Sequence, residues 1–296
     1  MKLEAAVTGF ARQLAADGRS AHTRAAYRRD LGALGRWLGG NPDLRRITPD
    51  TLARFLTSDA VLLTPDGEPR APITVNRTKS ALRSFFAFCV DSGWIKENPA
   101  RLIRSSRTTA REPATLTEAE IQCLRRALSD RTETLAQRDR LILELLLGTG
   151  IRLGSLVGLD VGDVDLQSGT LHIRTKGGGE DRVFLNPALV RMLGRYLGNN
   201  APEANTGPNA PLFRSQAGRR LGARQVQLRF AALCKTVGIT RRVSIHSLRH
   251  TFATRLYEKT GDLYLVQRAL GHRHITTTEI YARVSDDRLR RAVWRV

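Results

Sequence analysis

The sequence predicts a mainly helical protein of the α+β class, with two domains and a small β-hairpin in the second domain. Three observations lead to this prediction. Apolar residues recur at helical spacing through most of the chain. The length of 296 residues exceeds that of one typical domain. Two short β-rich runs, Thr170–Thr175 and Arg182–Leu185, are separated by a glycine-rich turn.

The charge balance points to a polyanionic partner. Lys and Arg number 48 against 28 Asp and Glu, so the net charge is +20 at pH 7. Only six of the basic residues are Lys and 42 are Arg, and a guanidinium group matches phosphate oxygens in a bidentate way. Nucleic acid is therefore the first partner to consider. An arginine-rich proteome would give the same composition without such a partner.

Residues 1–105 are predicted to form a helical first domain. Two segments, TRAAYRRDLGALGRWL and Thr74–Val90, carry apolar residues at helical spacing on one face. In the second segment Arg77, Lys79 and Arg83 lie away from the apolar face. These three residues are candidate contacts to a DNA backbone, and a solvated helix face would show the same pattern.

A basic linker is predicted to follow the first domain. Arg101–Pro113 contains four Arg against a single acidic residue, Glu112, with Ser and Thr between them, which is typical of an exposed segment. We place the linker at 106–114 and the second domain at 115–296. Arg104 and Arg107 are candidate phosphate contacts in and beside this segment.

The second domain is predicted to begin with a capped helix. Thr117 and Glu120 have the spacing of a capping box ahead of an apolar helical pattern. The β-hairpin follows, and then a mainly helical segment. The helices predicted after the hairpin are 187–198, 222–236, 246–259, 262–270, 275–282 and 286–294.

Neither disulfides nor membrane insertion is predicted. Cys89, Cys123 and Cys234 are odd in number, far apart and outside any CxxC motif, which favours free thiols in a reducing cytosol. The N-terminal residues lack the apolar core of a signal peptide. The most apolar run, Leu141–Leu147, is far too short to cross a bilayer. We expect a soluble, intracellular protein.

Four segments carry residues suited to chemistry. Each taken alone has an ordinary explanation, such as a surface arginine, a solvated turn or a half-buried tyrosine. A metal pair formed by His246 and His250 is disfavoured because no third ligand is evident. The segments are Gly148-Thr149-Gly150-Ile151-Arg152, Lys176 beside three glycines, His246-Ser247-Leu248-Arg249-His250, and Leu270-Gly271-His272 with Tyr281 nine residues later.

Together, three cations, two histidines and a tyrosine suit attack on a phosphodiester. Two arginine forks can hold the non-bridging oxygens and bind them more strongly as negative charge develops. A tyrosine hydroxyl, with a pKa of about 10, needs a base or nearby cations to become a nucleophile. A lysine on a flexible turn can protonate the leaving oxygen. No acidic cluster is needed, because cations do what Mg²⁺ does elsewhere.

The chain resembles the tyrosine recombinases, also called phage integrases. The segment TGIRLGSL, the HxxR pair, and LGH followed by Tyr281 occur in the family's order, with the Lys176 hairpin between the first two. The segments TRAAYRRDL and LRSFFAFCVDSGWIKENPA are similar to the family's core-binding domain. Motif spacing and the tail VSDDRLRRAV look most like the Xer branch, which resolves chromosome dimers.

The resemblance implies roles for the matched residues. Tyr281 would be the nucleophile, giving a 3′-phosphotyrosyl bond and a free 5′-hydroxyl. Arg152 and Arg249 would clamp the scissile phosphate. Lys176 would be the general acid for the 5′-oxygen. Because the phosphotyrosyl bond conserves energy, neither ATP nor a metal would be required.

The resemblance also implies roles for the histidines and for the assembly. His246 would assist proton transfer, and His272 would hydrogen-bond a phosphate oxygen. Four identical or paired protomers would exchange strands through a Holliday junction on double-stranded DNA carrying paired repeats. The two domains would form a C-shaped clamp, and the helix from about Asp286 would dock on a neighbouring protomer. The location would be the cytoplasm, on the nucleoid.

One residue departs from the family pattern. Many members carry an acidic residue three positions after the first arginine, where this chain has Ser155. The departure is expected to affect the rate of catalysis more than the class of reaction. Two alternatives to a recombinase stay open at this point: a DNA-binding homologue with weak or no turnover, and a topoisomerase-like enzyme that relaxes DNA.

Overall fold

The structure is a computed structural model that describes residues 1–106, 114–129, 134–174, 179–199 and 207–271. The chain divides into two compact units, Met1–Ala110 and Arg111–Val296. The boundaries predicted from the sequence, 1–105, 106–114 and 115–296, stay predictions.

The first unit is helical, as its apolar spacing predicts. Helix α2 begins after Ser20, whose hydroxyl accepts the backbone N–H of Thr23, and α5 begins with a proline, which fits a first helical turn. A 3-10 turn at Leu44–Arg46 precedes α3. The helices are α1 (Leu3–Ala16), α2 (Ala21–Trp37), α3 (Pro49–Leu56), α4 (Asp59–Leu62) and α5 (Pro72–Asp91).

The core of the first unit forms where α1 and α2 pack on α5. The Phe10 ring meets the edge of Phe85 at 5.6 Å between centroids, and Phe85 meets Phe86 at 5.0 Å. Both α5 rings are fully buried, together with Leu34 and Leu82. Burial of each such side chain contributes about 1.5–3 kcal/mol, which fixes α5 as the central helix of this unit.

The second unit is helical with one small sheet. The capping box predicted at its start is present: the Thr117 N–H donates to Glu120 Oε2 at 2.7 Å, and the Glu120 N–H to Thr117 Oγ1 at 3.2 Å. The helices are α6 (Glu118–Ser129), α7 (Thr134–Thr149), α8 (Leu153–Gly158), α9 (Pro187–Asn199), α10 (Ala223–Thr236), α11 (Ile245–Thr260) and α12 (Leu263–Leu270). Helices α9 to α12 confirm the predicted ones within a residue, and the two predicted at 275–282 and 286–294 lie outside the described residues.

The sheet has three antiparallel strands in the order β1 (Val164–Asp165), β2 (Thr170–Arg174) and β3 (Glu180–Phe184). The predicted hairpin is confirmed, but its second strand was predicted at the wrong bounds. It begins at Glu180 rather than Arg182, because Glu180 pairs with Arg174 across the ladder despite its low strand propensity. Strand β1 has only two residues, too few to produce an alternating pattern.

Helix α7 lies at the centre of the second unit. Its residues Leu141–Leu147 are buried apart from Glu144, which explains the most apolar run in the sequence. The helix packs against α6, α9 and α11. In the described ranges, no helix combines the length and the apolar character needed to span a membrane.

The three cysteines are free thiols, as predicted. Cys89 and Cys234 are buried and Cys123 is exposed. Burial raises the pKa of Cys89 to about 12 and that of Cys234 to about 11, so both stay protonated near neutral pH.

Candidate active site

Arg249 is the fixed cation of the candidate site. It lies on α11 with only 4% of its surface exposed. Its Nη1 donates to the Gly150 carbonyl at 2.6 Å, and its Nη2 donates to the Leu270 carbonyl at 2.7 Å. One side chain therefore joins the N-terminal part of α11 to the end of α7 and the end of α12. This arrangement holds the guanidinium in one orientation.

A glycine turn brings the end of α7 to Arg249. Gly150 has φ of +62°, and a Cβ at this position would lie 2.3 Å from Cδ1 of Phe252. Only glycine fits there, because both the backbone conformation and the ring exclude a side chain. The Thr149 hydroxyl donates to the Leu145 carbonyl at 2.6 Å and accepts the Ile151 N–H at 3.3 Å. The turn thus fixes the position at which α8 begins, directly after Arg152.

Arg152 stands at the N-cap of α8 and is exposed. Its Nη2 donates to the Gly271 carbonyl at 3.4 Å, a long hydrogen bond. The two arginines therefore contact successive carbonyls, Leu270 and Gly271, at the end of α12. Both also line one cleft of about 430 Å³, whose lining includes residues of strands β2 and β3.

His246 lies one helical turn before Arg249 on α11. Burial lowers its pKa, and the charges of Arg249 and Arg152 lower it further. The ring meets that of His250 edge to face, with centroids 5.1 Å apart at 88°. The pKa of His250 is lowered to about 4, first by burial and then by His246 and Arg249. Both imidazoles are neutral near pH 7, so His246 is able to accept a proton.

The structure brings together three of the six predicted catalytic residues: Arg152, His246 and Arg249. The other three, Lys176, His272 and Tyr281, lie outside the described residues. Helix α12 and its Gly271 cap end immediately before His272. Across the described parts of the chain, no group of three or more metal-binding side chains occurs.

The sequence did not single out Asp181, which lines this cleft from β3. The alternation of β3 could have indicated Asp181. Val183 is buried, and residues two apart point to the same face of a strand. Asp181 therefore shares the cleft face with Val183.

The basic residues predicted to contact DNA on α5 have different partners. Arg77 donates to both carboxylate oxygens of the buried Asp30, at 2.9 and 2.8 Å. Lys79 Nζ donates to Ser106 Oγ at 2.8 Å, and Arg83 Nη1 to the Ile103 carbonyl at 2.9 Å. Arg77 is thus neutralised by a carboxylate, whereas Lys79 and Arg83 contact neutral groups.

The start of the predicted linker is fastened to α5. We call Ile103–Ser106 the linker root. Asn76 Nδ2 donates to the Ser106 carbonyl at 2.9 Å, and the Ser106 N–H donates back to Asn76 Oδ1 at 2.8 Å. The residues of the root are mostly exposed, as predicted, including Arg104. Arg107 lies outside the described residues.

Comparison with known proteins identifies the class. The Phage integrase family matches residues 114–288, and the Phage integrase N-terminal SAM-like domain matches residues 7–93. The chain therefore belongs to the phage integrase family, the tyrosine recombinases. It is an enzyme that cleaves and rejoins DNA strands at specific sites. Enzymes of this family work without a metal ion or ATP.

Individual relatives refine this placement. The chain is 34% identical to the tyrosine recombinase XerD of Lacticaseibacillus casei over 270 residues, covering 90% of this chain and 89% of that one. It is similar to the crystal structure of the XerA recombinase, with 26% identity, a TM-score of 0.54 and coverage of 98% and 97%. A lambda integrase tetramer bound to a Holliday junction is similar in fold, with 24% identity, a TM-score of 0.70 and coverage of 93% and 79%.

Proposed function

We propose that Tyr281 is the nucleophile of this recombinase. Its oxygen forms a bond to the scissile phosphorus as the bond from phosphorus to the 5′-oxygen breaks. The products are a 3′-phosphotyrosyl linkage and a 5′-hydroxyl. The tyrosine proton passes towards neutral His246, and Lys176 supplies a proton to the 5′-oxygen. His272 donates a hydrogen bond to a phosphate oxygen.

The convergence of Arg152 and Arg249 carries this proposal. Both reach successive carbonyls at the end of α12 and line one cleft. Two guanidinium groups in that position are suited to the two non-bridging oxygens of one phosphodiester. The lowered pKa of His246 supports its role as an acceptor, because the imidazole is neutral at working pH.

The proposed substrate is double-stranded DNA with a pair of repeats. Four protomers, identical or paired with a second recombinase, would exchange strands in two steps through a Holliday junction. Docking of the helix from about Asp286 on a neighbour would close the assembly. Similarity to the Xer recombinases supports chromosome-dimer resolution as the biological event, with integration or excision of a mobile element as the second candidate. The proposed location is the cytoplasm, on the nucleoid.

A covalent trap tests the nucleophile and the substrate together. The protein is incubated with fragmented DNA of its own source and denatured with SDS, and the attached DNA is sequenced. We expect one enriched paired repeat, absent with Tyr281→Phe, which keeps the ring and removes the hydroxyl. Attachment to every sequence would indicate a topoisomerase. Covalent product with Tyr281→Phe would disprove the assignment of Tyr281.

A further inference from the structure

The described lining of the cleft that holds Arg152 contains two carboxylates, and one of them lies beside Gly271. The acidic residues of this lining are Asp163 and Asp181. Asp163 is engaged, because its Oδ2 accepts the Asp160 N–H at 2.8 Å and caps a 3-10 turn. Asp181 accepts only the N–H of its neighbour Arg182, at 2.9 Å through Oδ1, among the described residues. Its second oxygen is left for another donor.

That second oxygen and the guanidinium group of Arg152 both lie beside Gly271. A Cβ on Gly271 would lie 3.3 Å from Asp181 Oδ2 and 3.9 Å from Arg152 Nη1. Gly271 has φ of +59°, a conformation in which glycine is favoured. The two charged groups therefore flank the same backbone position, and no side chain separates them there.

The two arginines of the cleft differ in how firmly they are held. Arg249 makes two short hydrogen bonds and is buried. Arg152 is exposed, and its described hydrogen bond, at 3.4 Å, is long. Ser155 lines the same cleft from α8 and carries no charge. Arg152 therefore has no anionic partner on its own helix to fix the plane of its guanidinium group.

Asp181 is presented from a rigid element. It pairs with Ile173 in the β2–β3 ladder, and Val183 on the same face pairs with Leu171. A carboxylate held by a strand can orient a mobile guanidinium group at a smaller entropic cost than a carboxylate on a loop.

We propose that Asp181 is the positioning residue for Arg152. Its carboxylate engages the Nη1 edge of the guanidinium group, and the remaining N–H groups then point at the scissile phosphate. The inference rests on the proposed function, in which Arg152 binds that phosphate. It carries a distinctive signature, because a carboxylate beside the site also repels the phosphate. Removing its charge lowers the cleavage rate without weakening DNA binding.

The test separates cleavage from binding. Single-turnover formation of the covalent complex is measured on a duplex carrying the repeat recovered by the covalent trap, nicked beside the scissile phosphate. Affinity for the same duplex is measured in a Tyr281→Phe background. We expect Asp181→Asn to slow cleavage by about tenfold or more, with affinity unchanged or slightly tighter. The amide oxygen of the substituted side chain still accepts the Arg182 N–H, so the strand is preserved.

Two further variants make the outcome decisive. Glu180→Gln removes an exposed charge from the adjacent strand position and should leave the rate unchanged. Ser155→Asp combined with Asp181→Asn returns a carboxylate to the cleft from α8 and should restore most of the lost rate. A purely structural role for Asp181 would not give this rescue.

The opposite results are equally clear. Cleavage at the wild-type rate by Asp181→Asn, a parallel loss of rate and affinity, or failure of Ser155→Asp to rescue would each overturn the positioning role. If Arg152→Ala cleaves as fast as the wild type, the proposed role of Arg152 fails, and the inference fails with it. If the wild type cleaves and only the Asp181 result is negative, the proposed function stands.

Discussion

At the scale of single residues, Arg249 is a structural tie as well as the proposed ligand for the phosphate. Its guanidinium group satisfies two backbone carbonyls inside the second unit. A lysine there keeps the charge but has one compact head group that cannot reproduce the planar fork. The proposed chemistry and the packing therefore both require a planar guanidinium group at position 249.

Arg249→Lys is expected to lower the rate of covalent complex formation by on the order of 10²–10³. DNA affinity should fall much less, because most of the chain's 48 Lys and Arg are unchanged in this variant. Gel-shift titration in a Tyr281→Phe background gives the affinity, and single-turnover cleavage gives the rate. Equal losses in both would mean that Arg249 only binds DNA.

The environment of His246 predicts activity on the acidic side of neutrality. Its pKa is lowered by burial, and then by Arg249 and Arg152, so the neutral imidazole persists below pH 6.5. As the pH falls through the lowered pKa, His246 becomes protonated and can no longer accept the tyrosine proton. We expect the acidic limb of the cleavage rate to lie below pH 6.5.

This pH dependence can be checked on the ring itself. The His246 imidazole is titrated by NMR in Tyr281→Phe, with its signal assigned by comparison with His246→Gln. Arg152→Gln removes one of the nearby positive charges and should raise the pKa of His246. A pKa at or above 6.5 in the Tyr281→Phe protein would contradict the prediction.

At the scale of secondary-structure elements, α5 combines two kinds of cation. Arg77 neutralises Asp30, a carboxylate with 4% exposure inside the first unit. Lys79 and Arg83 instead bind hydroxyls and a carbonyl of the linker root. Among the described residues, neither of them forms an ion pair with a carboxylate. The sequence grouped these three residues because all of them lie away from the apolar face of the helix. Their partners come from distant segments, which helical spacing cannot reveal.

We expect Arg77→Ala to destabilise the first unit by about 2–4 kcal/mol, because it leaves the buried carboxylate of Asp30 without its positive partner. Lys79→Ala and Arg83→Ala should change stability much less and weaken DNA binding. Thermal denaturation and gel-shift titration of the three variants separate the two effects. The double variant Asp30→Asn with Arg77→Ala should recover part of the lost stability. Without that recovery, the buried charge is not the cause.

The described elements show what a sequence can and cannot determine. Long amphipathic helices such as α2, α5 and α10 were predictable, because their apolar spacing is imposed by the core they cover. The motif segments containing Arg152, His246 and Arg249 were predictable from residue type and order. Strand β1 and Asp181 were not singled out, because pairing partners and facing walls depend on contacts between residues far apart in sequence.

At the scale of the whole molecule, both parts of the chain are basic. The first 105 residues carry 17 Lys and Arg against 10 Asp and Glu, and the remainder carries 31 against 18. Binding to DNA of unrelated sequence should therefore be driven by counterion release. Recognition of a particular site adds base contacts to this general attraction.

Affinity for a random duplex is expected to fall by on the order of 10³ between 50 and 200 mM salt. Fluorescence anisotropy with a labelled duplex measures this dependence. A duplex carrying the recovered repeat should bind more tightly at every salt concentration with a similar slope. A nearly flat response to salt would show that the excess arginine does not serve DNA binding.

The two hydrogen bonds made by Arg249 also bear on the order in which catalytic residues would be lost during evolution. A substitution at Arg249 leaves two buried carbonyls without their donor, so it is expected to harm folding as well as the proposed cleavage. If the proposed role of Arg152 holds, substitutions at this exposed residue are expected to harm cleavage alone. In lineages where selection for recombination is relaxed, we expect Arg152 to drift first while Arg249 persists. An intact Arg249 is therefore weak evidence that a homologue is still active, and an intact Arg152 is much stronger evidence.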